Sequence, residues 1–160
     1  MTGISTMSRN EDVFSIEVES PASSTEAIDS THHTIGKITV GSFSETFTMP
    51  IGYWTVRDYR DSWCRAIARL MSDQNAKSCL MASMTDPETT NFLFCWPLYR
   101  LEQIVYVQNS IIFLGEDHPF DPGQPWLSVW DRQTVDDDGN SISEWQTSIS
   151  AISAFSAKNC

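Results

Sequence analysis

One segment of this 160-residue chain, residues 116–144, combines many acidic side chains with large apolar ones. Eight acids stand there against a single base, Arg132, so the segment carries a net charge of −7 out of −11 for the whole chain. Charge attracts an oppositely charged partner over a distance, whereas buried aromatic area slows its release. The segment therefore suits a surface that binds a cationic partner, although a charged hairpin that keeps the protein soluble is the simpler explanation.

The predicted contact residues are the acids and tryptophans of this segment. They are Asp117, Asp121, Trp126, Trp130, Asp131, Asp136, Asp137 and Asp138. The acids would steer the partner, and the two indoles would anchor it.

His118 is the histidine with the strongest claim to chemistry, since His32 and His33 lie in a polar N-terminal segment. It stands beside Glu116 and Asp117, and a histidine near carboxylates can serve as a general base or a metal ligand. No nucleophile or second set of ligands accompanies it. An ordinary loop position is therefore the simpler interpretation.

Known catalytic and metal-binding motifs do not occur in the chain. The patterns GxGxxG, GxxxxGK[ST], GxSxG, HExxH and CxxC are all missing. The acids before Gly139 resemble a calcium loop, but that alignment puts Thr134 and Trp145 where carboxylates are required. We therefore assign no catalytic, cofactor-binding or metal-binding residue, and we expect no cofactor.

The bulk composition limits the partners. A pI near 4.4 argues against nucleic acid and anionic membranes, which both attract basic surfaces. No apolar run approaches the roughly 20 residues of a membrane-spanning helix, and residues 1–12 do not read as a secretory signal. We expect a cytoplasmic protein with a disordered tail, residues 1–12, and one domain, residues 13–160.

The four cysteines have no metal-binding spacing and are most simply small buried apolar residues in a reducing compartment. One alternative stays open. If the segment around Pro87 is a hairpin centred on that residue, Cys79 and Cys95 lie opposite each other and a disulfide is geometrically allowed.

A long helix is predicted from Val56 to Met71. Thr55 is a natural N-cap residue, and Asp58 three positions later fits a capping box. Apolar residues recur at spacings of three and four, namely Val56, Tyr59, Trp63, Ile67 and Leu70. One face should be buried, and Trp63 should belong to the core.

Alternating or continuous apolar residues predict strands elsewhere, at residues 14–18, 35–49, 79–84, 91–99, 104–114 and 142–147. The run 92–96 should be buried on both faces, so its strand should be central and Trp96 should be a core residue. Pro97 should mark a bulge or strand end. With a short terminal helix after Ile149, the chain is α+β: mainly antiparallel β-sheet with one main helix packed on a face.

Several motifs together resemble the immunity proteins of bacterial contact-dependent growth inhibition systems. The resemblance covers residues 49–149. The motifs that carry it are Tyr53-Trp54, Tyr59, Trp63, Trp96-Pro97-Leu98-Tyr99-Arg100, Val105-Tyr106-Val107-Gln108-Asn109, Pro119-Phe120-Asp121-Pro122 and Ser143-Glu144-Trp145. It implies a protein without enzymatic activity that binds the C-terminal toxin domain delivered by a neighbouring cell, and it transfers no contact residues.

The sequence therefore predicts an immunity protein that occludes the active or substrate-binding surface of a cognate, basic, nuclease-type toxin domain. A nuclease surface is basic because it grips phosphates, and an acidic protein matches that charge. Two alternatives stay open. One is a small cytosolic enzyme that uses carboxylates near His118, and the other is an assembly subunit that associates through Trp126 and Trp130.

Overall fold

The computed structural model describes residues 13–19 and 33–160, and within these ranges the chain forms two antiparallel sheets and two α-helices. The first sheet has the order β1–β2–β3, with β1 at Phe14–Glu19, β2 at His33–Val40 and β3 at Phe43–Pro50. The helices are α1, Val56–Met71, and α2, Ile149–Asn159. None of the described helices is long and apolar enough to cross a bilayer. The predicted tail, residues 1–12, lies outside the described residues.

The second sheet has the order β4–β5–β6–β8, and β7 pairs with β5 beyond the end of β6. Its strands are β4 (Lys77–Met81), β5 (Phe92–Leu101), β6 (Ile104–Gln108), β7 (Ser110–Phe113) and β8 (Glu144–Ser148). The predicted α+β class with a main helix and a short C-terminal helix is confirmed. The strands divide between two sheets, whereas the sequence suggested one.

Both ends of α1 are capped by side chains. Thr55 and Asp58 form the predicted capping box, with the Asp58 amide donating to Thr55 Oγ1 (3.2 Å) and the Thr55 amide donating to Asp58 Oδ2 (2.9 Å). These hydrogen bonds lower the pKa of Asp58. At the other end Arg100 Nη1 donates to the carbonyls of Leu70 (3.1 Å) and Met71 (3.3 Å). The helix is thereby tied to β5.

The apolar face of α1 packs on β4. Trp63 Nε1 donates to the Met81 carbonyl (2.9 Å), and Ser78 Oγ donates to the Ala66 carbonyl (2.8 Å). Trp63 is 2% exposed and Trp96 is 1% exposed, so both predicted core tryptophans are confirmed.

The first sheet covers the same face of the second sheet beside α1. Phe43 of β3 stacks on Trp145 of β8 with ring centroids 3.8 Å apart. Phe43 and Phe47 also lie 6.3 and 5.9 Å from the ring of Trp96. Aromatic packing therefore joins the two sheets.

The strand β5 is central, as predicted, but it is not buried on both faces along its whole length. Leu93 and Cys95 are buried, whereas Phe92 and Phe94 are 43% and 42% exposed. The expectation of two-sided burial was wrong for these two residues because the covering layer encloses Trp96 and leaves Phe92 and Phe94 open to solvent.

Pro97 does not end its strand, which continues to Leu101. The interruption falls on the neighbouring strands. β6 ends at Gln108 and β7 begins at Ser110, so the ladder on that side of β5 breaks opposite Pro97. Proline has no N–H to donate there, which accounts for the break.

The structure corrects the interpretation of the cysteines. Cys64 of α1 and Cys160 form a disulfide, whereas Cys79 and Cys95 are buried free thiols. The strands pair Cys79 with Pro97, so the hairpin is centred after Pro87 and the two thiols are not directly opposite. The hydrogen bond with the Cys95 thiol and burial raise the pKa of Cys79, which favours its protonated form.

Candidate functional site

The acidic segment lies in the connection between β7 and β8, residues 114–143, which crosses the face of the second sheet opposite α1. Side chains from three adjacent strands each donate to one backbone carbonyl of this connection. The hydrogen bonds are Lys77 Nζ to Val129 (2.6 Å), Tyr99 OH to Trp130 (2.8 Å) and Gln108 Nε2 to Gln133 (2.9 Å). We call these the three carbonyl bonds. They hold the backbone of residues 129–133, which carries Trp130 and Asp131 of the predicted contact residues.

An ion pair holds the end of the connection. Arg132 binds Glu144 through two hydrogen bonds, Nε to Oε2 (2.8 Å) and Nη2 to Oε1 (2.7 Å), and Gln108 donates to the same carboxylate (2.8 Å). The guanidinium also lies 3.8 Å from the ring centroid of Tyr106. The hydrogen bonds from Arg132 lower the pKa of Glu144. Glu144 therefore serves the fold and offers little charge to a partner.

The two predicted anchor tryptophans differ in exposure. Trp126 is 7% exposed in the 3₁₀ helix Pro125–Ser128, and Arg69 of α1 lies 5.2 Å from its ring centroid. Trp130 is 73% exposed, and Leu127 beside it is 63% exposed. In this conformation only Trp130 presents its indole to a partner, while Trp126 packs in the core.

A groove of about 480 Å³ opens beside Trp130. Its walls are mostly apolar, with one carboxylate and one imidazole. The lining residues are Phe113, Asp117, His118, Pro119, Leu127, Ser128, Val129 and Trp130. We call it the Trp130 groove. Apolar walls with a single acid suit a partner side chain that has an apolar stem and a positive charge.

The predicted acids divide into two groups. Asp121 and Asp136 shape turns: Asp121 Oδ1 accepts from the Gly123 amide (2.8 Å), and Asp136 Oδ1 accepts from the amides of Asp138 and Asn140 (both 2.9 Å). Their carboxylates are engaged in the fold.

The remaining acids are open to solvent. Within the described ranges the side chains of Asp117, Asp137 and Asp138 have no hydrogen bond or ion pair, and Asp131 meets only Lys77 at 3.2 Å. The Asp131 side chain is 97% exposed. These four side chains are not needed for a turn of the connection and are free to contact a partner directly.

His118 lies exposed on the rim of the Trp130 groove. No side-chain hydrogen bond joins it to Asp117 or Glu116 in the part of the chain that the structure describes. The same part contains no group of three or more His, Cys, Asp or Glu residues placed to hold a metal ion.

An exposed apolar face of the second sheet was missed by the sequence reasoning. Cross-strand pairing places Phe92 beside Phe113 and Phe94 beside Ile111, and all four side chains are exposed. We call these four residues the β5–β7 face. The signal was hidden because apolar residues occupy both faces of these strands, so no polar alternation marks the open one.

Three comparisons relate the chain to known proteins. A family model described as the CdiI N-terminal domain matches residues 49–155, which include α1, all of the second sheet and the β7–β8 connection. The immunity protein CdiI of Enterobacter cloacae subsp. cloacae is 39% identical over 118 residues, 74% of this chain and 81% of that protein. A chain in the solved CdiA-CT/CdiI toxin and immunity complex from Enterobacter cloacae matches with a TM-score of 0.80 at 34% identity, covering 91% of this chain and 97% of that chain.

Proposed function

The chain belongs to the CdiI family of immunity proteins, and we propose that it binds and neutralises the C-terminal domain of a cognate toxin, which is basic and of the nuclease type. It acts in the cytoplasm by occupying the toxin's active or substrate-binding surface and carries out no catalysis itself. The observation that supports this most is the presence, in one connection, of exposed carboxylates and an exposed indole, Trp130, whose backbone is held by the three carbonyl bonds.

The charges argue for a basic partner. The chain has a net charge of −11, and the β7–β8 connection holds most of it. A cluster of exposed negative charges raises the association rate with a cationic protein, because its electric field attracts the partner before contact. A nuclease must carry positive charge to grip phosphates, so the same carboxylates that attract it also compete with its substrate.

The apolar part of the surface argues for slow release. Leu127 lies in a 3₁₀ helix and the backbone of Trp130 is hydrogen-bonded to Tyr99, so burying the two side chains should cost little further ordering of the backbone. An exposed tryptophan that becomes buried at the centre of an interface can contribute about 2 kcal/mol or more to binding.

Binding kinetics at two salt concentrations test whether the acids control the association rate and Trp130 controls the dissociation rate. Reversal of Asp137 and Asp138 to Lys should lower the association rate by about tenfold and remove most of its salt dependence. Asp136 is left unchanged because its carboxylate holds the turn. The matched control reverses Glu19 and Glu45 of the first sheet, which changes the net charge equally and should have a much smaller effect.

In the same experiment Trp130→Ala should leave the association rate nearly unchanged and raise the dissociation rate on the order of 30-fold. Parent-like kinetics in both variants would place the toxin interface elsewhere on the molecule.

Occlusion is tested by competition. A toxin domain inactivated at its catalytic residue is loaded with a fluorescent nucleic acid, and the parent chain is titrated in. We expect release of the nucleic acid at one-to-one stoichiometry. A ternary complex that retains the nucleic acid would overturn occlusion while leaving the immunity function intact.

A further inference from the structure

Among the described residues, no strand pairs with the outer edge of β7. The Leu114 amide donates to the Asn91 carbonyl, just before β5 (2.9 Å). This bond shows which residues of β7 direct their N–H and C=O groups toward β5. In an antiparallel pair the bonded positions alternate, so Ile112 faces β5 as Leu114 does. The N–H and C=O groups of Ile111 and Phe113 therefore point away from β5.

The hydrogen bonds between β5 and the residues just after β4 lead to the same assignment of inward and outward groups. The Ala82 amide donates to the Phe94 carbonyl (2.9 Å), and the Phe94 amide donates to Ser83 Oγ (3.0 Å). Since both backbone groups of Phe94 point toward the β4 side, none is left for Ile111 opposite it. In the described part of the chain, no hydrogen bond to the outward groups of Ile111 or Phe113 exists.

The side chains around this edge do not protect it. Proteins usually guard an open edge with lysine, proline or a covering loop, whereas β7 reads Ser-Ile-Ile-Phe. Ile111 is 38% exposed and Phe113 is 66% exposed, and both belong to the β5–β7 face. The edge therefore offers free backbone groups next to uncovered apolar area, which is the combination that strand addition uses.

We propose that β7 accepts an extended strand of the cationic partner, which joins the second sheet beside Ile111 and Phe113. The inference rests on the proposed function and specifies how the toxin domain docks. The incoming strand places apolar side chains on the β5–β7 face, and its flanking residues are Lys or Arg because the exposed acids Glu116 and Asp117 lie three and four positions after the last residue of β7.

A second copy of this chain is a poorer occupant of the edge. Each copy carries a net charge of −11, so two acidic surfaces would be brought together. A basic strand gains from the same charges.

The first test alters the edge while keeping the β5–β7 ladder. Ile111→Pro removes an N–H that points to solvent, and proline is tolerated at such positions of an edge strand. It should weaken binding of the cognate toxin domain at least about tenfold, while the control Ile111→Ala, which keeps the N–H, should weaken it less. Equal affinities for parent and Ile111→Pro would overturn strand addition.

The second test needs no variant and so does not depend on how Ile111→Pro folds. In the free protein the amides of Ile112 and Leu114 should exchange hydrogen slowly, and those of Ile111 and Phe113 should exchange fast. In the complex with the toxin domain, Ile111 and Phe113 should slow by about tenfold or more. Unchanged exchange of both amides would overturn the inference.

The outcomes separate this inference from the proposed function. If the parent chain does not bind the cognate toxin domain, the proposed function fails and strand addition fails with it. If it binds while Ile111 and Phe113 stay unprotected, strand addition alone fails. Protection of these amides in the free protein at high concentration, with a dimer by sedimentation, would identify a second copy as the occupant and also overturn it.

Discussion

Two tryptophans in one loop have opposite environments, and this difference can be measured residue by residue. Trp126 is buried and packs beneath Arg69, whereas most of Trp130 is exposed. Trp126→Ala should lower the free energy of unfolding by about 3–5 kcal/mol, because a large cavity is left. Trp130→Ala should lower it by less than about 0.5 kcal/mol. Urea denaturation of both variants measures this, and equal losses would contradict the assigned environments.

The Glu144 carboxylate makes stability depend on pH. Its pKa is lowered by the hydrogen bonds from Arg132, so the folded state favours the ionised form. This stabilisation is present above the ordinary pKa of 4.5 and is lost as the pH falls through the lowered value.

Glu144→Gln provides the comparison. It should be less stable than the parent at pH 7, and the two free energies of unfolding should converge as the pH falls below about 4. Denaturant titrations from pH 7 to about pH 3 follow both proteins. A difference in the free energy of unfolding that stays constant across this range would mean that ionisation of Glu144 does not stabilise the fold.

At the scale of elements, the disulfide joins α1 to the end of α2. Cys64 and Cys160 are 96 positions apart, so the bond closes a very long loop of the unfolded chain. We expect oxidation to stabilise the fold by about 2–4 kcal/mol. Thermal unfolding with and without reductant should show this difference in the parent.

Cys64→Ser is the control for the disulfide. It should unfold like the reduced parent and should not respond to reductant. The variant should still fold, because Ile149 and Ile152 of α2 are buried against the core without help from the bond. A reductant-dependent midpoint in Cys64→Ser would assign the effect to another thiol.

The elements also show what the sequence could and could not predict. α1 was predictable to the residue because a capping box and a helical stripe are local signals. The exposure of Phe92 and Phe94 was not predictable, since it depends on where the first sheet stops. The disulfide was missed for a similar reason: only the packing of α1 against α2 brings Cys64 and Cys160 together.

The candidate site was predictable in composition but not in detail. Trp130 lies exposed in the acidic connection, whereas Trp126, the other predicted anchor, is buried. Charge counting located this connection. It could not separate Asp136, which holds a turn, from Asp137 and Asp138, which are free. That distinction depends on which carboxylate accepts from the backbone amides of the turn. Three consecutive aspartates do not show in the sequence which of them does so.

At the scale of the whole molecule, the N-terminal boundary of the domain can be tested. The Val13 carbonyl accepts from the Gly41 amide (2.9 Å) and from Thr147 Oγ1 (3.1 Å), so Val13 connects the two sheets. Residues 1–12 are polar and rich in Ser and Thr, and we expect their removal to leave the free energy of unfolding and toxin binding unchanged. A truncation that also removes Val13 and Phe14 should be clearly destabilised. A loss of cooperative unfolding in the shorter truncation would contradict this boundary.

The three carbonyl bonds have a consequence for the thermodynamics of toxin capture. A loop that is ordered before the encounter loses little conformational entropy when its partner arrives, so association should resemble the docking of two rigid bodies. The heat capacity change on binding should then follow the apolar area removed from water alone, without the excess that accompanies folding of a segment on binding. Lys77, Tyr99 and Gln108 lie beneath the backbone and yet would set the affinity, because they hold the surface in the shape that the toxin meets.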